Sequence, residues 1–236
     1  MRNDNIYIFG YAGAVCLVCS ILLSLAATKL QPLQAENMKL DIRKNIMIAL
    51  GIIDTEARLS KEELNQKYSS VNGMVLDLEG NVVDGLNPEN LTEKDLESKL
   101  PIFQKMENGV VKGYAFPIVG KGLWSTLKGY LALEADTVTV KGLTFYQHGE
   151  TPGLGAEIEQ SWFTNNFKAK KVRDNLGNLV GVTVAKGKAT DSGRPIEHVV
   201  DGISGATITA NGVTDMFKVG LVKYDAYFER VRQGGH

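Results

Sequence analysis

The sequence is poor in residues that bind metals or form disulfides: it has two cysteines and three histidines among 236 residues. Cys16 and Cys19 both lie in a hydrophobic segment near the N-terminus, so the rest of the chain has no thiol for a disulfide, a thiolate metal site or a nucleophile. The histidines, His148, His198 and His236, show no H-x-x-x-H spacing, which argues against a zinc or iron site. Any redox chemistry must therefore come from a bound cofactor.

An excess of charge of one sign is also missing, because 26 basic residues stand against 27 acidic ones. A net charge of −1 argues against nucleic acid as a partner. The dinucleotide fingerprint G-x-G-x-x-G is absent as well, since Gly153-Leu-Gly155 continues as Ala-Glu-Ile and lacks the third glycine. With 44% hydrophobic and 22% charged residues, the composition is that of an ordinary globular protein.

One long hydrophobic run is present. The 23 residues from Ile6 to Thr28 contain no charged residue and no histidine, and at a rise of about 1.5 Å per residue they can cross a hydrocarbon core of about 30 Å. We interpret residues 6–28 as a transmembrane helix, preceded by a short tail of residues 1–5. A cleaved signal peptide ending near Ser24-Leu25-Ala26 is the alternative. The basic residues after the run leave the orientation undecided.

The rest of the chain predicts an α+β fold, in which a mostly antiparallel sheet with flanking helices follows the N-terminal transmembrane helix. We divide it into a membrane-proximal part, 29–108, and a second part, 109–236. Helices are predicted at Leu33–Leu50, ending before Gly51, at Gly153–Phe167 and at Val213–Val231. Strands are predicted as a pair within Val71–Val83 and at Val110-Val111, Tyr114–Val119, Leu127–Leu133, Thr137–Tyr146 and Leu179–Ala185. The charged run that ends at Lys99 predicts a solvated helix or loop.

The first motif with possible chemistry is Asp201-Gly-Ile-Ser-Gly-Ala-Thr207-Ile-Thr209, just before the last predicted helix. Its small residues allow a large ligand to approach the backbone, and a helix start offers free N–H groups to a phosphate. Thr207 would present its hydroxyl there. A glycine-rich turn that only begins a helix is the alternative interpretation.

The second motif is His148-Gly-Glu-Thr-Pro-Gly-Leu-Gly155, after a predicted strand. Pro152 fixes one backbone angle, and the glycines permit unusual ones. Thr151 and exposed N–H groups could bind the polar edge of a flat heterocycle, while Leu154 covers its face. A tight turn between a strand and a helix is the structural alternative.

Together these motifs resemble the covalent FMN-binding domain found in the C subunit of sodium-translocating NADH:quinone oxidoreductases and in the G subunit of Rnf electron-transport complexes. The resemblance covers nearly the whole chain and is closer to the sodium-translocating family. It is carried by the two motifs and by Gly120-Lys-Gly-Leu-Trp124-Ser, Gly129-Tyr-Leu-Ala-Leu133, Gly142-Leu-Thr-Phe-Tyr146, Lys44-Asn-Ile46 and the ending Phe228–Gly235.

The resemblance implies a covalent FMN on Thr207, joined through its phosphate by a separate flavin transferase. That enzyme would recognise Asp201 together with Ser204, Gly205 and Ala206, and these last three are also implied to contact the bound FMN. Thr151, Gly153, Leu154, Gly155 and Trp124 are implied to lie near the isoalloxazine. At Ala156 the sequence departs from the glycine or aspartate expected, and Asp191–Pro195 also differs, so contacts there are open.

The resemblance further implies an electron carrier in the bacterial inner membrane, with one span in contact with lipid and the C-terminal domain on the periplasmic side. Its partners would be the other subunits of a respiratory complex, which oxidise NADH. Two alternatives stay open. One is the G subunit of an Rnf-type complex, and the other is a membrane-tethered assembly module without an active flavin.

Overall fold

The structure is a computed structural model that describes residues 2–92 and 94–234. Gly235, which belongs to the ending that resembles the family, and His236 lie outside the described residues. The described residues form two compact units, the first ending at Asp41 and the second beginning at Ile42. The helices are α1 (Arg2–Ala49), α2 (Lys61–Tyr68), α3 (Ser161–Thr164) and α4 (Thr207–Arg232). The strands are β1 (Val71–Leu76), β2 (Leu100–Glu107), β3 (Val110–Lys121), β4 (Thr126–Glu134), β5 (Val140–Gln147), β6 (Thr183–Val184) and β7 (Val199–Val200).

The first unit is helical. Helix α1 already begins at Arg2, inside the expected tail of residues 1–5. From Tyr7 onward it is long and apolar enough to cross a membrane, and its large side chains, such as Leu17 and Leu25, are exposed. The predicted amphipathic helix after Pro32 is part of this same α1, since the proline removes one backbone donor without ending the helix.

The second unit is built on one antiparallel sheet with the strand order β1-β2-β3-β4-β5. Long strands pair in the centre, for example Phe116 opposite Leu131. A separate short pair, β6 and β7, is parallel. The prediction of a mostly antiparallel α+β fold is confirmed. Strand β2 was not predicted, because Pro101 and the charged run before it are more typical of a loop. Strands β1 and β2 precede residue 108 and β3 to β5 follow it, so the sheet contains strands from both parts, 29–108 and 109–236, into which the sequence was divided.

Alternating side chains of the sheet face two layers. Phe116 and Ile118 of β3 belong to a large cluster with the buried face of α4, including Phe217 and Tyr224. Ala115 faces the other way and packs in a cluster with Ile46 from the end of α1. Burial of these apolar surfaces, at about 25 cal/mol per Å², is the main stabilising contribution to this three-layer arrangement.

Helix α4 begins earlier than predicted, at Thr207 instead of Val213. It packs tightly on β3 at Gly212. A Cβ atom at this position would be only 2.2 Å from the carbonyl oxygen of Lys121, so only glycine fits there. The early start places the motif threonine within the helix.

Two other predicted elements are shorter than expected. The helix predicted at Gly153–Phe167 is broken into a 3-10 turn, α3 and a second 3-10 turn, since Gln160 has an extended backbone with ψ 143°. The strand predicted at Leu179–Ala185 is reduced to β6, preceded by an isolated bridge between Arg173 and Leu179.

Candidate functional site

Three segments of the second unit meet around the buried side chain of Glu150, which is 5% exposed. They are the turn between β3 and β4, the loop after β5, and the first turn of α4. One carboxylate oxygen accepts hydrogen bonds from the N–H groups of Trp124 at 3.0 Å and Ser125 at 3.3 Å. The other accepts from the N–H of Leu123 at 3.1 Å and from the hydroxyl of Thr209 at 2.5 Å. One carboxylate therefore joins all three segments.

The protonation of Glu150 follows from these bonds. Burial by itself would raise the pKa of the Glu150 carboxyl, but the hydroxyl of Thr209 and the three backbone N–H groups together outweigh burial and lower that pKa. The carboxylate is thus the form that the site holds at neutral pH, and it contributes one negative charge beneath the surface of the site.

The loop after β5 contains a tight turn. The carbonyl oxygen of Thr151 accepts from the N–H groups of Leu154 and Ala156, both at 3.1 Å. Pro152 follows Thr151, and Gly153 has φ 73°, which is the pattern of a type II turn and favours glycine at this position. Thr151 and Leu154 are both exposed at the tip, while Gly155 is buried behind them.

His148, at the beginning of this loop, has a structural environment. Its Nδ1 accepts from the N–H of Glu150 at 3.3 Å, and its Nε2 lies 3.0 Å from a carboxylate oxygen of Glu159. These contacts orient the imidazole within the loop, and the N–H of Gly149 donates to the hydroxyl of Ser125 at 2.5 Å. His148 therefore helps to fix the loop that carries Glu150.

The segment before α4 is held by hydrogen bonds of its own, which do not involve Glu150. The carboxylate of Asp201 accepts from the N–H of Ala189 at 2.6 Å, and the N–H of Ala206 donates to the carbonyl of Ile203 at 3.1 Å. Gly205 has φ 74°, a conformation that glycine adopts without strain. Ser204 is exposed, and Ala206 is buried.

Thr207 is the first residue of α4, and its side chain is exposed. Ala206 stands at the N-cap and has no side-chain oxygen, so no side-chain hydrogen bond caps this end of the helix. The first N–H groups and the positive end of the helix dipole are therefore directed toward the region where Thr207 holds its hydroxyl. This is a suitable environment for a phosphate group.

Leu154 and Trp124 supply apolar surface around this point. A Cβ atom on Gly205 would lie 2.9 Å from a terminal methyl of Leu154, so the tip of the loop rests directly on the segment before Thr207. Trp124 is 71% exposed, although its backbone is held by Glu150. The structure thus brings together the residues of both motifs and the turn of Trp124.

Glu150 and Thr209 were not predicted as site residues. Within His148–Gly155, Glu150 is the one acidic residue, and this was the available signal. The sequence could not show that its carboxylate meets Thr209, which is 59 positions away.

In the part of the chain that the structure describes, the site does not lie in a deep cleft. A cleft of about 530 Å³ in this unit is lined by other residues, among them Ile48, Asp54, Ser161 and Lys168. Among the candidate residues, Trp124, Thr151, Leu154, Ser204 and Thr207 are exposed to solvent instead.

Comparisons with known proteins identify the class. A family model described as FMN-binding domain matches residues 122–222, a range that contains Trp124, the loop tip and Thr207. The second unit therefore contains an FMN-binding domain, as the family resemblance implied.

Relatives that match over nearly the full length define the family. The chain is 33% identical to the C subunit of the Na(+)-translocating NADH-quinone reductase of Pseudomonas aeruginosa, with 93% of each chain covered. It is 35% identical to the same protein of Vibrio anguillarum, with 94% of this chain and 93% of the relative covered. The crystal structure of the corresponding protein from Parabacteroides distasonis superposes with a TM-score of 0.73 at 31% identity, covering 84% of this chain and 96% of that one. The chain belongs to this family of Na(+)-translocating NADH-quinone reductase C subunits, which confirms the resemblance.

Proposed function

We propose that this chain is a membrane-anchored flavoprotein subunit that carries FMN covalently on Thr207 and transfers electrons within a sodium-translocating NADH:quinone oxidoreductase. The observation that carries the proposal is the exposed hydroxyl of Thr207 at the uncapped start of α4, inside the matched FMN-binding domain. FMN, when bound, supplies reversible electron uptake and release, which the side chains described for this unit do not supply.

The residues present fit such a group. A phosphate esterified to Thr207 would lie at the N-terminus of α4, where backbone N–H groups and the helix dipole stabilise negative charge. Leu154 and Trp124 would provide apolar contact for the isoalloxazine, and Thr151 would provide a hydroxyl for its polar edge. Gly153 and Gly155 permit the turn and the close packing that place this loop.

Attachment would need a separate flavin transferase that uses FAD: the hydroxyl oxygen of Thr207 bonds to the phosphorus of the FMN half, the pyrophosphate bond breaks, and AMP leaves. We propose that this enzyme recognises the segment from Asp201 through Ser204, Gly205 and Ala206. Ser204 is exposed, and the bond from the N–H of Ala189 to Asp201 holds the segment in a defined shape.

The membrane arrangement completes the proposal. The apolar part of α1 would be surrounded by lipid, and the FMN-binding domain would lie on the periplasmic side of the bacterial inner membrane, beside the other subunits. This orientation follows from the family resemblance, since the charges that flank the span do not decide it.

An intact-mass measurement on the protein purified from its native membrane tests the proposal. We expect the mass of the full chain, including α1, plus one FMN phosphoester. Loss of this addition in a Thr207→Ala variant would assign the position. A full-length chain without any addition, purified from cells that contain the transferase, would favour an assembly module instead.

A further inference from the structure

Glu150 connects two parts of the site that have no other hydrogen bond between them in the described chain. Its carboxylate takes three N–H donors from Leu123–Ser125 and one hydroxyl from Thr209. Thr209 lies two residues after Thr207 on the same helical turn. A displacement of Glu150 would therefore break the hydrogen-bonded link between the turn of Trp124 and the start of α4.

The surrounding backbone is shaped to admit this carboxylate. A Cβ atom on Gly122 would be 2.5 Å from one oxygen of Glu150. A Cβ atom on Gly155 would be 2.8 Å from the other oxygen and 2.7 Å from the hydroxyl of Thr209. These distances leave no space for a methyl group, so both glycines are required for the contact to form.

Backbone packing of Gly212 against Lys121 holds α4 on the end of β3, and Glu150 adds the hydrogen-bonded link from the turn of Trp124 to Thr209. The indole of Trp124 is 71% exposed, so contacts with the core do not fix its position. The start of α4 lacks a capping side chain. A carboxylate that accepts charge-assisted hydrogen bonds is a strong and directional way to hold both elements.

We infer that Glu150 is a positioning residue, which acts through Thr209 and through the turn of Trp124 to hold both sides of the flavin site at a fixed spacing. The inference rests on the proposed function, because it assumes that flavin occupies this surface. Glu150 itself is buried beneath the site, and its role is to determine where Trp124 and the helix turn of Thr207 lie. The environment of the flavin, and with it the reduction potential, then depends on a residue below the surface.

The first test replaces Glu150 by Gln in the full-length chain, produced together with the flavin transferase. Glutamine has a similar shape, but its NH₂ group would face donors that bind a carboxylate oxygen in the wild type. A donor would then face a donor, and those hydrogen bonds would be lost. We expect a shift of the flavin midpoint potential. In a Trp162→Phe background, where Trp124 is the only tryptophan, we also expect lower fluorescence anisotropy of Trp124 in protein without flavin.

Variants of Thr209 test the same connection with less disturbance. Thr209→Val removes the hydroxyl and should shift the potential, whereas Thr209→Ser keeps the hydroxyl and should retain the wild-type value. Thr214→Val is the matched control. It removes a buried hydroxyl from the same helix, which accepts from the N–H of Val184 at 3.0 Å. It should lower thermal stability without changing the potential or the anisotropy of Trp124.

The outcomes separate the inference from the proposed function. A wild-type potential and anisotropy in Glu150→Gln, or a wild-type potential in Thr209→Val, would overturn the positioning role. If Glu150→Gln does not fold, the Thr209 pair decides. If wild-type protein carries no flavin, the proposed function fails, while the anisotropy of Trp124 still decides whether Glu150 holds the turn.

Discussion

Leu154 rests on Gly205, although 51 positions separate them along the chain: a Cβ atom on Gly205 would be 2.9 Å from a methyl of Leu154. The contact joins the two sequence motifs directly. Gly205 also has φ 74°, so an alanine there would be strained by about 1–2 kcal/mol.

This relationship predicts two separable effects of Gly205→Ala. The backbone strain should lower the thermal stability, and the new methyl should displace the flexible end of Leu154 and change the absorbance and potential of the bound flavin. Gly193→Ala is the matched control, because Gly193 has φ 69° with no atom near a Cβ position. Thermal unfolding and redox titration compare the two. Equal flavin properties in both variants would contradict the contact.

Covalent attachment is predicted to use the hydroxyl of Thr207 and not that of Thr209. Thr207→Ala should abolish flavin fluorescence in denaturing gels, since a methyl group cannot form the phosphoester. Thr209→Ala should keep the attached flavin, because the hydroxyl of Thr209 is directed toward Glu150. Fluorescence that persists after denaturation of Thr207→Ala would show that another residue carries the flavin.

The stability contributed by Glu150 should depend on pH. Its pKa in the folded protein is lowered from an ordinary value of 4.5, so its contribution is fully present above pH 4.5 and decreases as the pH falls through the lower folded value. The melting temperature of the wild type minus that of Glu150→Gln should be constant from pH 7 to about pH 5.5 and should shrink below about pH 4.5. Other carboxylates cancel in this difference. A difference that stays constant down to about pH 3 would contradict the charged state.

The FMN-binding domain is predicted to lie on the periplasmic side of the membrane. Protease added to intact spheroplasts should digest the domain and leave a short fragment that contains Ile6–Thr28, while a cytoplasmic marker protein remains intact. Immunoblotting of both detects the result. Protection in spheroplasts together with digestion in inverted vesicles would reverse the orientation.

The chain purified without other subunits should not oxidise NADH. Its glycine pattern at Gly153 and Gly155 lacks the dinucleotide fingerprint, so the carrier must receive electrons from a partner. Dithionite should bleach the flavin absorbance, and NADH alone should leave it unchanged. Rapid bleaching by NADH, in protein shown by mass to lack other subunits, would indicate a dehydrogenase site.

Features that depend on local pattern could be predicted from the residues alone. An uncharged run from Ile6 to Thr28 has the length of a membrane span, and alternating apolar residues predicted the central strands. The two glycine-rich motifs, through their resemblance to a known family, indicated an FMN-binding domain. Strand β2 was not predicted, because Pro101 and the charged residues near it are more typical of a loop than of a strand.

The link that Glu150 and Thr209 form beneath the site could be identified from the assembled fold and not from the sequence. Helix α4 starts at Thr207, six positions before its predicted start, and packs on β3 where Gly212 approaches the backbone of Lys121. Glu150 was marked in the sequence by being the one acidic residue of its loop, but its role depends on the donors that surround its carboxylate. Those donors come from two distant segments, and they meet only when the sheet and α4 are packed together, which no local pattern of residues records.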